Sequence, residues 1–328
     1  MLPSRAPDMK PKVYIDGEAG TTGLRIRKLL AERTELEVLR IPDALRKDEA
    51  ARRELVLASD VTILCLPDAA SREVAGWVKD ASTRLIDAST AHRVADGWVY
   101  GMPELTPSQR SAIASAKYVS NPGCYAGSFI LLARPLIDAG VLSPDVSLAV
   151  HALSGYSGGG KSLIERWENP DGGLVSLPFE APYALGRVHK HVPEMMSHGG
   201  LRVEPYFVPS VGPFFNGMRV QVQLPVTSLQ RGATGEDAWR ALTDRYRGEP
   251  FVRVMPLRTG DDGDERVFDP RACNDTNRIE LHVVAHPSGH VLLVAISDNL
   301  GKGASGTAVQ SLNLMLEMPE TAGLSGQN

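Results

Sequence analysis

Cysteine is scarce in this chain, with three among 328 residues, and Cys65, Cys124 and Cys273 are far apart with no CxxC. That spacing excludes a disulfide framework and a cysteine-based zinc site, and no metal is expected; a reducing, cytoplasmic setting fits best. An excess of positive charge is also missing. With 35 Lys and Arg against 39 Asp and Glu, the net charge is -4, so there is no general field for nucleic acid or an anionic membrane. No apolar run approaches a membrane span, and the opening Met1-Leu2-Pro3-Ser4-Arg5-Ala6-Pro7 leaves no room for a signal peptide before a strand expected at Val13. There is no internal repeat and no Walker spacing, which sets nucleotide hydrolysis aside.

What the chain does have is length and apolar content enough for two cores: 43% of its residues are hydrophobic. From Val13 to Ser120, short β-rich runs alternate with helical patterns, the signature of βαβ units and a parallel sheet. Strands are expected at Val13–Asp16, Leu36–Ile41, Val61–Leu66, Arg84–Ala88 and Lys117–Ser120, with Cys65 in the core of the third. Beyond Cys124 the runs lengthen and alternate, as in Met218–Val226, Ile279–Ala285 and Val291–Ser297, which predicts a mostly antiparallel sheet with helices on it. The fold class is therefore α/β: a Rossmann-type parallel-sheet domain over 1–121 and an α+β domain over 122–299 for catalysis, substrate and oligomerisation. A helix from about Lys302 to Met318, within 300–328, is expected to pack back on the first domain.

The run Ser120-Asn121-Pro122-Gly123-Cys124-Tyr125-Ala126 describes a thiol presented for chemistry. Proline pushes its predecessor out of helical geometry, glycine permits a sharp turn, and an apolar helical pattern from Phe129 to Ile137 follows. Cys124 then sits near a helix N-terminus, where backbone N–H groups and the helix dipole favour the thiolate. A small buried cysteine beside a turn is the competing use.

Directly after the first strand comes Gly17-Glu18-Ala19-Gly20-Thr21-Thr22-Gly23, a GxxGxxG turn opening a helix. Glycines there let backbone amides approach a pyrophosphate, so Gly17, Gly20, Thr21, Thr22 and Gly23 are the candidate dinucleotide-binding residues. Arg40, Arg46 and Lys47, past the second strand, favour the 2′-phosphate of NADP(H), while Asp43 keeps NAD open.

His189-Lys190-His191-Val192-Pro193-Glu194 is the densest titratable cluster, with two histidines two apart and a carboxylate at a helix start. His191, nearer Glu194, is the preferred acid/base and His189 the alternative. His282, His286 and His290 flank a hairpin and are expected at exposed strand positions. Ser154-Gly155 opens a glycine-rich loop running to Lys161 that is suited to close approach by a cofactor or substrate. Ser89 and Arg93 follow the fourth strand, where open α/β sheets bind ligands. Asn299 offers an amide donor and acceptor to a carboxamide, or an N-cap to the last helix.

Five segments together resemble the short form of the N-acetyl-gamma-glutamyl-phosphate reductase family, within the aspartate-semialdehyde-dehydrogenase-like group. They are Asp16–Gly23, Asn121–Tyr125, Ser154–Gly158, His189–Glu194 and Asp298–Gly303. The resemblance runs through the chain and implies NADPH-dependent reduction of an acyl phosphate to a semialdehyde in arginine biosynthesis, by an oligomeric cytoplasmic enzyme, a homodimer or homotetramer. It implies Cys124 as nucleophile and thioester carrier, with the paired histidines and Glu194 as acid/base machinery. Ser89, Arg93, Asn121 and Lys161, with Arg187 and Lys190 as equals of the last, are the candidate substrate anchors. Aspartyl and aminoadipyl phosphates are the close alternatives as substrates, and a Cys/His thiol hydrolase is the more distant one.

Overall fold

The structure is a computed structural model that describes residues 9–186, 188–260 and 264–327. Arg187 and Asp261-Asp262-Gly263 lie outside the described residues. The chain divides into two compact units, one running up to Pro122 and resuming over Ala304–Leu324, the other over Gly123–Gly303 with the residues after Leu324.

The first unit is built from β1 (Lys12–Asp16), α1 (Thr21–Leu30), β2 (Glu37–Leu39), α2 (Glu49–Ala58), β3 (Val61–Leu64), α3 (Asp68–Trp77), β4 (Arg84–Asp87), β5 (Val99–Tyr100), α4 (Gln109–Ser115) and β6 (Tyr118–Ser120). Its six strands are all parallel in the order β2-β1-β3-β4-β6-β5. Val61, Ile63 and Leu64 are shut away from water, as a strand covered on both faces requires. Each such side chain contributes about 1.5–3 kcal/mol of burial. The two-residue β5 has no counterpart in the expected strands, being too short to show a period.

The second unit begins with α5 (Cys124–Asp138) and continues through β7 (Ala149–Gly155), α6 (Lys161–Glu168), β8 (Ala181–Pro182), α7 (Val192–Gly199), β9 (Tyr206–Gly212), β10 (Met218–Leu224), α8 (Gly235–Arg245), β11 (Val252–Val254), β12 (Ile279–Ala285) and β13 (Val291–Ser297). Its seven strands form a mixed sheet ordered β11-β12-β13-β10-β7-β9-β8. The three long antiparallel pairings, β7 with β10, β10 with β13 and β13 with β12, make its centre. Helix α5 packs on β10 and β13, with α7 and α8 beside it.

Helix α5 is apolar on nearly every side, which is what burial demands of a helix. It also carries Pro135, which has no N–H to give the carbonyl of Leu131 four residues earlier. The Tyr246 hydroxyl just past α8 supplies the missing donor, 2.7 Å from that carbonyl oxygen.

His282 departs from expectation. It is 2% exposed on β12, because Phe268 packs edge-on against its ring over a sheet face that the alternation alone marks as solvated. The last helix also differs: a π-helical turn over Gly301–Ser305 comes first, and α9 (Gly306–Met315) follows in the first unit. There α9 packs on α4 and α1, and the Arg84 guanidinium on β4 donates to the carbonyls of Met315 and Ala116.

Candidate active site

Pro122 ends one unit and Gly123 begins the other, so Cys124 opens the second unit as the first residue of α5. The thiol is half-buried. Helix N-termini leave backbone N–H groups unsatisfied, and at this one the Glu194 carboxylate from the first turn of α7 accepts the Gly123 N–H at 2.9 Å. Glu194 thereby braces the turn that carries the nucleophile. Opposite, Gly303 lies so close that a Cβ there would stand 2.9 Å from the Cys124 Cβ and 3.1 Å from the Asp298 carbonyl. Asp298 is fully buried, and its carboxylate accepts from the Asp275 and Leu300 N–H groups and from Asn216. Neither Gly303 nor Asp298 was named as a candidate, although both lie in a motif that was.

The two histidines are buried beside the next residue on α5. The Tyr125 ring lies 5.7 Å from that of His191 and 6.1 Å from that of His189, and the two imidazoles are 4.7 Å apart. His191 is the N-cap of α7, with Pro193 in the first turn. The His191 N–H donates to His189 Nδ1 at 3.2 Å, and Tyr183 Oη is 3.3 Å from His189 Nε2. Both nitrogens of His189 are thus engaged. Tyr183, six residues upstream in a loop, gave no sequence signal.

Three proposed cofactor contacts turn inward instead. Ser154 Oγ is 2.6 Å from the Tyr125 hydroxyl, and a Cβ at Gly155 would meet the Phe215 carbonyl oxygen at 2.3 Å. Asn299 Oδ1 accepts the Gly217 N–H at 2.8 Å while its Nδ2 donates to Ser157 Oγ at 3.0 Å, so the amide braces two loops of its own unit. Lys161 is at the surface: its side chain is 81% exposed and faces Glu165 one turn on in α6. Lys190 is exposed.

In the first unit, Ser89, Arg93 and Asn121 do come together at the carboxyl ends of β4 and β6. Arg93 Nε donates to the Asn121 carbonyl at 3.0 Å and Nη2 to that of Ala88 at 3.2 Å. Ser89 is held through its N–H and hydroxyl by Asp87, which also meets His92 Nδ1 at 2.6 Å. Asn121 donates its own N–H to the Asp87 carbonyl and its Nδ2 to that of Ala304.

The glycine turn of this unit separates two demands. Gly17 has φ +87° and a Cβ there would meet the Cys65 carbonyl oxygen at 2.4 Å, so the fold itself requires glycine. Gly20 is different: its φ is ordinary, and a Cβ would meet nothing closer than the Gly17 carbonyl oxygen at 3.6 Å. As N-cap of α1, it leaves a cradle that a side chain would fill, and a dinucleotide pyrophosphate fits there against the first-turn N–H groups that include Thr21, Thr22 and Gly23. Arg40 is exposed beyond β2. Arg46 pairs with Asp43 at 2.6 Å and stands 4.0 Å from Glu18 in the turn, which occupies the acidic residue an NAD ribose would need.

The family model for the NAD-binding domain of semialdehyde dehydrogenases matches residues 12–113, and that for their dimerisation domain matches residues 124–299. Among curated relatives, N-acetyl-gamma-glutamyl-phosphate reductase 2 of a Nostoc species is 47% identical over 321 residues, covering 96% of this chain and 99% of that protein. The N-acetyl-gamma-glutamyl-phosphate reductase of Burkholderia orbicola is 46% identical over 307 residues, covering 93% and 97%. Among solved structures, aspartate semialdehyde dehydrogenase II of Vibrio cholerae, complexed with ASA, superposes with a TM-score of 0.70 at 15% identity over 94% of this chain and 99% of its own. The Candida albicans aspartate semialdehyde dehydrogenase with NADP gives 0.62 at 14% identity, covering 94% and 99%.

Proposed function

This chain belongs to the semialdehyde dehydrogenase family, and from that membership and its 47% identity to a named reductase we propose that it reduces N-acetyl-gamma-glutamyl phosphate to N-acetylglutamate 5-semialdehyde and phosphate in arginine biosynthesis. The observation that carries the reading is the join at α5: a half-buried thiol at a helix N-terminus, with two buried histidines packed against the next residue.

The fit of the glycine turn to a dinucleotide makes NADPH the reductant, held over Gly20 and the α1 N-terminus; when bound, it supplies the hydride that reduces an acyl group to an aldehyde. The protein's part begins with His191, which takes the thiol proton as Cys124 attacks the acyl carbon. A carbon–sulfur bond forms, the carbon–oxygen bond to phosphate breaks, and the proton leaves with phosphate. The thioester remains on Cys124. After reduction, the tetrahedral alkoxide re-forms its carbonyl by expelling the Cys124 thiolate, which solvent reprotonates through His191. Backbone N–H groups at the start of α5 stabilise both the thiolate and the oxyanion. Ser89, Arg93 and Asn121 are the substrate-side anchors, with Arg93 for the anionic group.

The test is the reverse reaction, phosphate-dependent reduction of NADP by a panel of semialdehydes. Preference for N-acetylglutamate semialdehyde supports the assignment, and preference for aspartate semialdehyde overturns it. A thiol hydrolase would show no saturable NADPH binding. Among the described residues no helix is long and apolar enough to cross a membrane, and the three cysteines are unpaired with one another, which supports a cytoplasmic location. The dimerisation-domain match supports a homodimer or homotetramer, to be read by sedimentation.

A further inference from the structure

Tyr183 after β8, His189 before α7 and the His191 backbone at the start of α7 form one hydrogen-bonded line. Tyr183 Oη is 3.3 Å from His189 Nε2, and the His191 N–H, which can only donate, meets His189 Nδ1 at 3.2 Å. With Nδ1 accepting, the ring proton of neutral His189 sits on Nε2 and is donated to Tyr183 Oη. The Tyr125 ring from α5 packs edge-on against both imidazoles, 6.1 Å from that of His189 and 5.7 Å from that of His191, and its own hydroxyl meets Ser154 Oγ at 2.6 Å and the Ser210 carbonyl at 3.3 Å.

We propose that Tyr183 is a positioning residue that holds His189 as the neutral Nε2–H tautomer and, through the His189 Nδ1, fixes His191 as the proton carrier, with the Tyr125 ring as the wall both imidazoles pack on. The proposal rests on the reductase reading for the role of His191. A second proton on His189 would point Nδ1–H at the His191 N–H, so proton uptake there breaks the line. Among the described residues, titratable groups that meet His189 include Tyr125 on α5, Tyr183 after β8 and His191 at α7, with Lys190 next to it in the chain, and the Phe207 ring from β9 packs 5.2 Å away. Burial holds the Tyr125 phenol well above the usual phenol range, with Tyr183 and Cys124 adding to it, so it stays a donor throughout the working pH range. Because Tyr125 follows Cys124 directly, nucleophile and proton carrier are set in one frame.

The experiment pairs kinetics with a readout that needs no turnover. In the whole protein labelled with 15N-histidine, neutral His189 is expected as the Nε2–H tautomer. In kinetics, His191→Asn loses at least about 100-fold in kcat, the size of a general acid–base contribution. His189→Asn places an amide oxygen where Nδ1 was, and keeps kcat within about tenfold, since loss of one neutral hydrogen bond is a tenfold effect. Tyr183→Phe lowers kcat by about 5–20-fold with KM within twofold, again the scale of one hydrogen bond, and adds an ionisation to the acid limb of the pH profile. Tyr183 is half-buried, and the tautomer measurement on the unmodified protein serves if its variant does not fold. A His189→Asn enzyme as inactive as His191→Asn, an unchanged Tyr183→Phe profile, or an Nδ1–H signal at His189 overturns the proposal. Absence of reductase activity in the unmodified protein would instead overturn the functional reading, leaving the tautomer measurement to stand on its own.

Discussion

Gly303→Ala is expected to disable the enzyme while leaving it folded. The new Cβ would stand 2.9 Å from the Cys124 Cβ and 3.1 Å from the Asp298 carbonyl. Two carbons rest at about 3.5–4.0 Å, so roughly 0.6–1.1 Å has to be absorbed. Asp298 resists, because its carboxylate is held by three donors and its carbonyl accepts the Gly303 N–H at 2.9 Å. The movement falls on Cys124. A misplacement of about 1 Å at a reacting atom costs on the order of 100-fold in rate, whereas the overpacking costs about 1–3 kcal/mol of stability. Phosphate-dependent oxidation of the semialdehyde measures the first, and urea unfolding the second. The rate at which iodoacetamide alkylates Cys124 should change as well. Gly76→Ala on α3 is the control, since nothing lies within 4 Å of its added Cβ. If Gly303→Ala retains kcat within threefold, Gly303 does not constrain the nucleophile, and the reasoning fails.

Gly20→Ala should fold with an unchanged melting temperature yet bind NADPH at least about tenfold more weakly, one lost pyrophosphate hydrogen bond being worth about that; Gly17→Ala should destabilise the protein itself, and equal melting temperatures for the two would refute the distinction. Tyr246→Phe removes the donor to the Leu131 carbonyl and should cost about 1–3 kcal/mol in urea unfolding, with an unchanged value counting against the proline repair. His282 gives a pH prediction: burial, and secondarily Arg258, pulls its imidazole from 6.5 to about 4. The unfolded chain takes up that proton first, so stability is full above about pH 6.5 and falls by about 3 kcal/mol as the pH drops to 4. His282→Phe should flatten that acid limb, and an identical slope would dismiss His282 as its source.

The parallel-sheet unit was legible because its signals are local: β1, β3 and β4 are short buried runs, and the glycine turn sits between a strand and a helix. The fold class and the family resemblance agree with the matched domains and relatives. Side-chain roles were harder to infer. Asn299 carries the right amide for a carboxamide, but nothing in its neighbours reveals that Gly217 and Ser157, 82 and 142 residues away, already use it. Lys161 closes a glycine loop suited to close approach by a ligand, and α6 turns its side chain to solvent. Alternation along β12 marks His282 as outward-facing, yet Phe268 and its neighbours fold over that face. Tyr125, Tyr183 and His189 illustrate the general difficulty: 58 residues separate the two phenols, and only the pairing of β8 with β9 brings the second one near.

The Pro135 repair on α5 carries a consequence for synthesis. Most helices can close their own ladder of hydrogen bonds as they leave the ribosome, but the helix that presents Cys124 cannot. Its Leu131 carbonyl waits for a hydroxyl encoded 115 residues later. At a translation rate of about 5–20 residues per second that is a delay of roughly 6–23 seconds, during which the nucleophile's helix lacks the partner of one acceptor. A truncated chain ending before Tyr246 would therefore hold its reactive thiol on an unfinished helix, most open to oxidation and to chaperone capture while the enzyme is still being made.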